Sequence, residues 1–174
     1  EGYLEDENPS EAIKTAVEAL QRFRDLGDSN AEHDTLRVII NSHRIESDLA
    51  FADSPVEAER IVEEEHSKFS AKGDKRGIAA MLLSRAECWC DRRRVKPSKL
   101  DEIENWTREA LGTFRDIGDK KMIATALLEL AHVQSLREQS AEVFDAASEA
   151  REFFKAIDDK KGDAPALHGG AYSS

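Results

Sequence analysis

The sequence has little of what catalysis, membrane insertion or nucleic-acid binding requires. Only two of its 174 residues are cysteines, Cys88 and Cys90. They stand two apart in a helical pattern and so point to different sides, poorly placed to pair. So few thiols exclude a disulfide-built scaffold and fit a reducing, cytoplasmic setting. Cations are also scarce. Lys and Arg number 25 against 36 Asp and Glu, for a net charge of −11. A general nucleic-acid binder needs a basic surface, so nucleic acid is not an expected partner. No apolar run reaches the roughly 18 residues that a membrane-spanning helix needs, so no membrane partner is expected. No secretory leader is visible. Period-2 alternation long enough for a strand is absent, as is a glycine-rich phosphate loop. The five histidines are scattered and lack zinc-ligand spacing. These absences predict a chain that is not an enzyme and carries no cofactor and no metal.

What the sequence does have is one phrase repeated four times. Phe23-Arg24-Asp25-Leu26-Gly27-Asp28 returns as Phe69-Ser70-Ala71-Lys72-Gly73-Asp74 and as Phe114-Arg115-Asp116-Ile117-Gly118-Asp119. A degraded copy runs Phe154-Lys155-Ala156-Ile157-Asp158-Asp159. The phenylalanines are 46, 45 and 40 residues apart. Self-similarity at that period is the mark of stacked structural repeats. Such arrays bind along extended surfaces rather than in one deep pocket.

The flanks of each copy explain the phrase. Before the phenylalanines, small and apolar residues recur at helical steps: Ala12, Ala16, Ala19; Ala58, Val62; Ile103, Thr107, Ala110; Val143, Ala147, Ala150. Glu65 and His66 interrupt the second stripe. Small residues in mid-stripe permit close helix approach, and the Phe fills the gap one turn on. After each Gly-Asp a second stripe begins, through Leu36, Ile39 and Ile40, then Leu82, Leu83, Ala86 and Trp89, then Leu127, Leu130 and Ala131. Gly supplies a left-handed helix end, and the Asp behind it is an N-cap for the next helix. Asn8-Pro9-Ser10-Glu11 and Ser54-Pro55-Val56-Glu57 read as helix starts of the cap, Pro, x, Glu type, and Ser98 after Pro97 as another cap. The expected fold is all-α, with about seven helices plus a partial eighth. The expected units are 29–73, 74–118 and 119–159, with a half-repeat 9–28 before them and a partial helix 160–174 after. Ends of this kind suggest a segment of a longer array, able to self-associate through its uncapped faces.

Helix hairpins with this spacing of small and large residues resemble the tetratricopeptide repeat. The third unit matches best, with Leu127, Leu130, Ala131 and Gln134 on its first helix and Val143, Ala147 and Ala150 on its second. The second unit follows with Leu82, Ala86, Trp89, Ile103 and Ala110. The first departs at Ile40 and Glu65, where small residues are the family's habit. The period is nearer 40 than the family's usual 34 or so, and Gly-Asp stands where a Pro often closes the repeat. The likeness is therefore to an extended form with Leu-Gly-Asp turns, and it covers nearly the whole chain. It implies a right-handed α-solenoid whose first helices line a concave groove.

Within that resemblance, Arg37, Asn41 and Arg44 fall on the groove face of the first such helix. Leu83, Ser84, Glu87 and Cys90 fall on the second, and Leu128, Glu129, His132 and Ser135 on the third. Carboxylate-binding members of the family use a basic residue and an Asn at the places of Arg37 and Asn41. A guanidinium forks onto a carboxylate, and an Asn amide both donates and accepts. Ser84, Thr125 and Glu129 replace the rest of that clamp, so a complete one is not expected. The implied function is a non-catalytic scaffold that holds a protein or peptide partner in the groove. Leu83 and Leu128 would meet its apolar side chains. The other reading is a regulatory or oligomerising segment of a larger protein. Three further features read as structural. Cys88-Trp89-Cys90 is packing rather than a redox or metal pair, Asn105-Trp106-Thr107 is a chance sequon, and Asp91-Arg92-Arg93-Arg94 with Lys96 and Lys99 is a solvated loop.

Overall fold

The computed structural model describes residues 9–160, and these form seven helices and no strand. In chain order they are α1 (Pro9–Leu26), α2 (Ser29–Leu49), α3 (Val56–Lys72), α4 (Lys75–Cys90), α5 (Pro97–Ile117), α6 (Lys120–Leu136) and α7 (Ser140–Lys160). Each helix packs on the next, and α2 packs on α4 and α4 on α6. No described helix is long and apolar enough to cross a membrane. The expected eighth helix lies outside the described residues.

The repeated phrase is a turn in which no residue is spare. Gly27, Gly73 and Gly118 have φ of 70°, 67° and 77°, the left-handed conformation that a Cβ disfavours. In each copy the Asp N–H donates to the Phe carbonyl at 3.0 Å, from Asp28 to Phe23, Asp74 to Phe69 and Asp119 to Phe114. The Gly N–H donates to the residue after the Phe. This pair of bonds is the Schellman closure. The same Asp then caps the following helix, its carboxylate accepting from the N–H of Ala31, Gly77 or Met122. Phe69 and Phe114 are fully buried. One short phrase thus ends a helix, starts the next and plugs the space between them.

Two expectations about helix ends need correction. The fourth copy makes no turn, because α7 runs on through Asp158 to Lys160. It has Asp158 where the others have Gly, so nothing relieves the left-handed position. Ser54 and Ser98 are not caps. Pro55 precedes α3 without a side-chain cap, and α5 starts at Pro97 with Lys96 before it. Both prolines fix φ at a place where no N–H is needed.

The alanine stripes make the core thin and close-packed. Ala58, Ala79, Ala86, Ala110, Ala124 and Ala126 are buried beside Ile40, Leu83, Ile103 and Leu127. Gly77 marks the tightest approach. A Cβ built there would stand 2.6 Å from the Phe69 ring and 2.9 Å from His33 Nε2. His33 is itself buried, edge-on to Phe69 at 4.8 Å, with Nε2 2.6 Å from Asp74 Oδ2. Glu65 does not break its stripe. It is buried and satisfied, taking Arg24 of α1 at 2.8 Å and Lys68 at 3.0 Å.

Candidate functional site

The face shared by α2, α4 and α6 is held by charges that answer one another across helices. Arg76 on α4 reaches back to Asp34 at 2.8 Å and forward to Asp119 at 3.0 Å, tying three hairpins together. One turn further, Arg37 Nη1 donates to Glu87 at 2.7 Å and to Ser84 at 2.9 Å. At the far end Arg44 forks onto Asp91 at 2.6 and 3.1 Å, reaches Glu87 at 3.3 Å and donates to the Asn41 amide oxygen at 2.8 Å. Burial works to raise the Glu87 carboxyl, but Arg37 and Arg44 outweigh it and hold it below its ordinary range.

This network revises the groove expected from the sequence. Arg37 is only 7% exposed, and its guanidinium is engaged by Glu87 and Ser84 rather than offered to a ligand. Ser84 is buried as its partner. Leu83 is 0% exposed: it belongs to the core, where it cannot meet a ligand side chain. The common register that equates Arg37, Leu83 and Leu128 therefore does not give them a common environment. Leu128, by contrast, is exposed. Asn41 and Arg44 remain partly open, and Glu87 is the counter-charge between the two arginines.

Asn41 and Arg44 line a cleft of about 460 Å³ with Ile45, Asp48, Phe51, Pro55, Asp91 and Arg93. Phe51 is the unexpected member. Its side chain is 80% exposed and its backbone has φ of 55°. Its N–H donates to Asp48 and the Ala52 N–H donates to Ser47 at 2.9 Å, so it occupies the place that Gly holds in the repeated turns. A bulky side chain in that conformation is a strained exception. No repeated phrase marks this turn, which hid Phe51 from the sequence. Its one signal was an aromatic standing alone among Ala, Asp and Ser.

The basic run is not simply solvated. Arg92 stacks over Trp89 at 3.8 Å and forks onto Glu59 of α3 at 2.9 and 3.0 Å. Arg93 donates to the Phe51 carbonyl at 2.6 Å and so braces the strained turn from across the cleft. Lys99 sits over both Trp89 and Trp106. Thr107 of the sequon is buried inside α5.

Beyond Asp91 the face ends in a mixed cluster. Cys90 of α4 meets Glu129 and His132 of α6, with a sulfur, a carboxylate oxygen and an imidazole nitrogen all within 4.8 Å of one another. Helical spacing of three residues puts Glu129 and His132 side by side, His132 Nδ1 lying 3.6 Å from Glu129 Oε2. The Glu129 carboxylate holds His132 above its ordinary value, and burial together with Glu129 pushes the Cys90 thiol up. His132 is exposed and Cys90 half-buried. Spacing along one segment could not reveal this group, because its members come from two helices.

No protein-family model, curated protein or solved structure matches this chain.

Proposed function

We propose that the chain is a non-catalytic interaction scaffold, a tetratricopeptide-like α-solenoid whose face of α2, α4 and α6 receives a segment of a protein partner. Phe51 carries the reading. An exposed aromatic in a left-handed backbone costs about 1–3 kcal/mol of strain, and such residues concentrate where a chain meets a ligand. Here the ring stands at the rim of a cleft with Ile45 and Pro55 for apolar contact and Asn41, Arg44 and Arg93 for polar anchoring. A large, rigid aromatic beside an Arg is the usual anchor of an interface. The partner segment suited to it brings an apolar side chain against Phe51 and Ile45 and a carbonyl or carboxylate toward Asn41 and Arg93. Leu128 and His132 extend the same face.

The test is capture of partners from lysate by wild type, Phe51→Gly and Arg93→Glu, with circular dichroism to confirm folding. Proteins held by wild type and lost by both variants support the cleft as the site. A set unchanged by both variants refutes it. Phe144, 70% exposed on α7, favours the second reading, an oligomerising segment of a larger protein. That reading requires mass to rise with concentration in light scattering, and to stop rising in Phe144→Ser.

A further inference from the structure

Glu129 is buried, 8% exposed, and its Oε1 accepts no hydrogen bond. An unanswered carboxylate oxygen in that setting is unfavourable by a margin that native structures seldom tolerate. It lies beside a thiol and an imidazole, two side chains that share its ability to bind a metal. We infer that Cys90, Glu129 and His132 form a site for a zinc-type divalent cation.

The donor set decides the class of ion. One sulfur, one imidazole nitrogen and one carboxylate oxygen suit borderline zinc, and exclude calcium and magnesium, which take oxygen alone. Mutual separations of up to 4.8 Å exceed those of a closed tetrahedron, and small rotations of the half-exposed Cys90 and exposed His132 bring the donors in. Glu129 is the fixed member, held by burial. Charge balances too. Binding drives the Cys90 proton, and the proton of His132 where the ring is charged, to solvent, and leaves a thiolate and a carboxylate against a dication, with a neutral imidazole. Arg44 is the nearby cation that would oppose the ion, and Asp91 and Glu87 already neutralise it. Three protein ligands leave a fourth position, on the exposed His132 side, for water or a donor from elsewhere. This inference does not depend on the partner-binding reading, since the ion needs no peptide.

Cobalt(II) is the probe, because a thiolate bound to it gives a charge-transfer band in the near ultraviolet. The full chain is titrated with cobalt chloride alone, then with zinc chloride to displace it. One equivalent should bind with the band present, and zinc should remove it. The band should vanish in Cys90→Ser, and cobalt affinity should fall about tenfold or more in His132→Ala and in Glu129→Gln. Cys88 is wholly buried and remains in all variants as the control thiol. Absence of the band in the wild-type chain, or a band that survives Cys90→Ser, overturns the site. So does an affinity that His132→Ala leaves unchanged, and because His132 is exposed that variant does not threaten the fold.

Discussion

Single residues decide how closely these helices approach. Gly77 is the clearest case, because any side chain there meets Phe69 and His33 at well under contact distance. Gly77→Ala should destabilise the chain by about 1–3 kcal/mol in urea denaturation, although alanine is the better helix former. Phe114→Ala empties a fully buried site and should cost about 3–5 kcal/mol by the same measurement. Glu87 gives a pH dependence. Its folded value is depressed from the ordinary 4.5, so its ion pairs stabilise the fold above that value and are lost as pH falls through the folded one. Stability measured between neutral and strongly acid pH should decline more steeply in wild type than in Glu87→Gln. Equal slopes would show that Arg37 and Arg44 do not draw their support from that carboxylate.

At the scale of the element, the turn was legible from sequence and the helix starts were less so. Phe, Gly and Asp act through backbone bonds within six residues, so their meaning does not depend on the rest of the fold. Ser54 and Ser98 misled because Pro55 itself stands at the cap position of α3 and Pro97 opens α5 behind Lys96, so neither serine is placed to cap. The fourth copy misled because three matching residues do not make the turn without the glycine. Two other turns close in the same way with Phe51 and Glu138 in the left-handed position, at φ of 55° and 62°. Glu138→Gly should therefore raise stability by about 1 kcal/mol, read as a higher melting temperature. Phe51→Gly should raise it as well while weakening partner capture. A variant that gains stability and loses binding separates a strained functional residue from an ordinary defect.

For the whole molecule, an all-α architecture of repeated hairpins was legible, and the chemistry on its shared face was not. Helical periodicity places residues on a face but does not say which neighbour answers them. Arg37 falls on the expected face and is consumed by Glu87. Leu83 falls there too and is consumed by the core. Cys90, Glu129 and His132 gain meaning only when α4 lies on α6. Arg76 shows the same logic in stability. It joins Asp34 and Asp119 from one position, so Arg76→Ala should lower the unfolding midpoint more than Arg60→Ala. Among the described residues Arg60 pairs with Glu57 and Glu64 of its own exposed helix surface, where such pairs contribute little. An equal effect of the two changes would count against coupling between hairpins.

The sharing of one Asp by two helices has a mechanical consequence. A joint with no spare residue leaves little slack between α1 and α2, α3 and α4, and α5 and α6. Bending between pairs falls on the longer connections, residues 50–55 and 91–96, and these two carry Phe51 on one side and Arg93 on the other. Arg93 also bonds the one connection to the other, through the Phe51 carbonyl at 2.6 Å and the Asp53 carbonyl at 3.3 Å, so any flexing of the array loads the very bonds that hold the rim of the cleft.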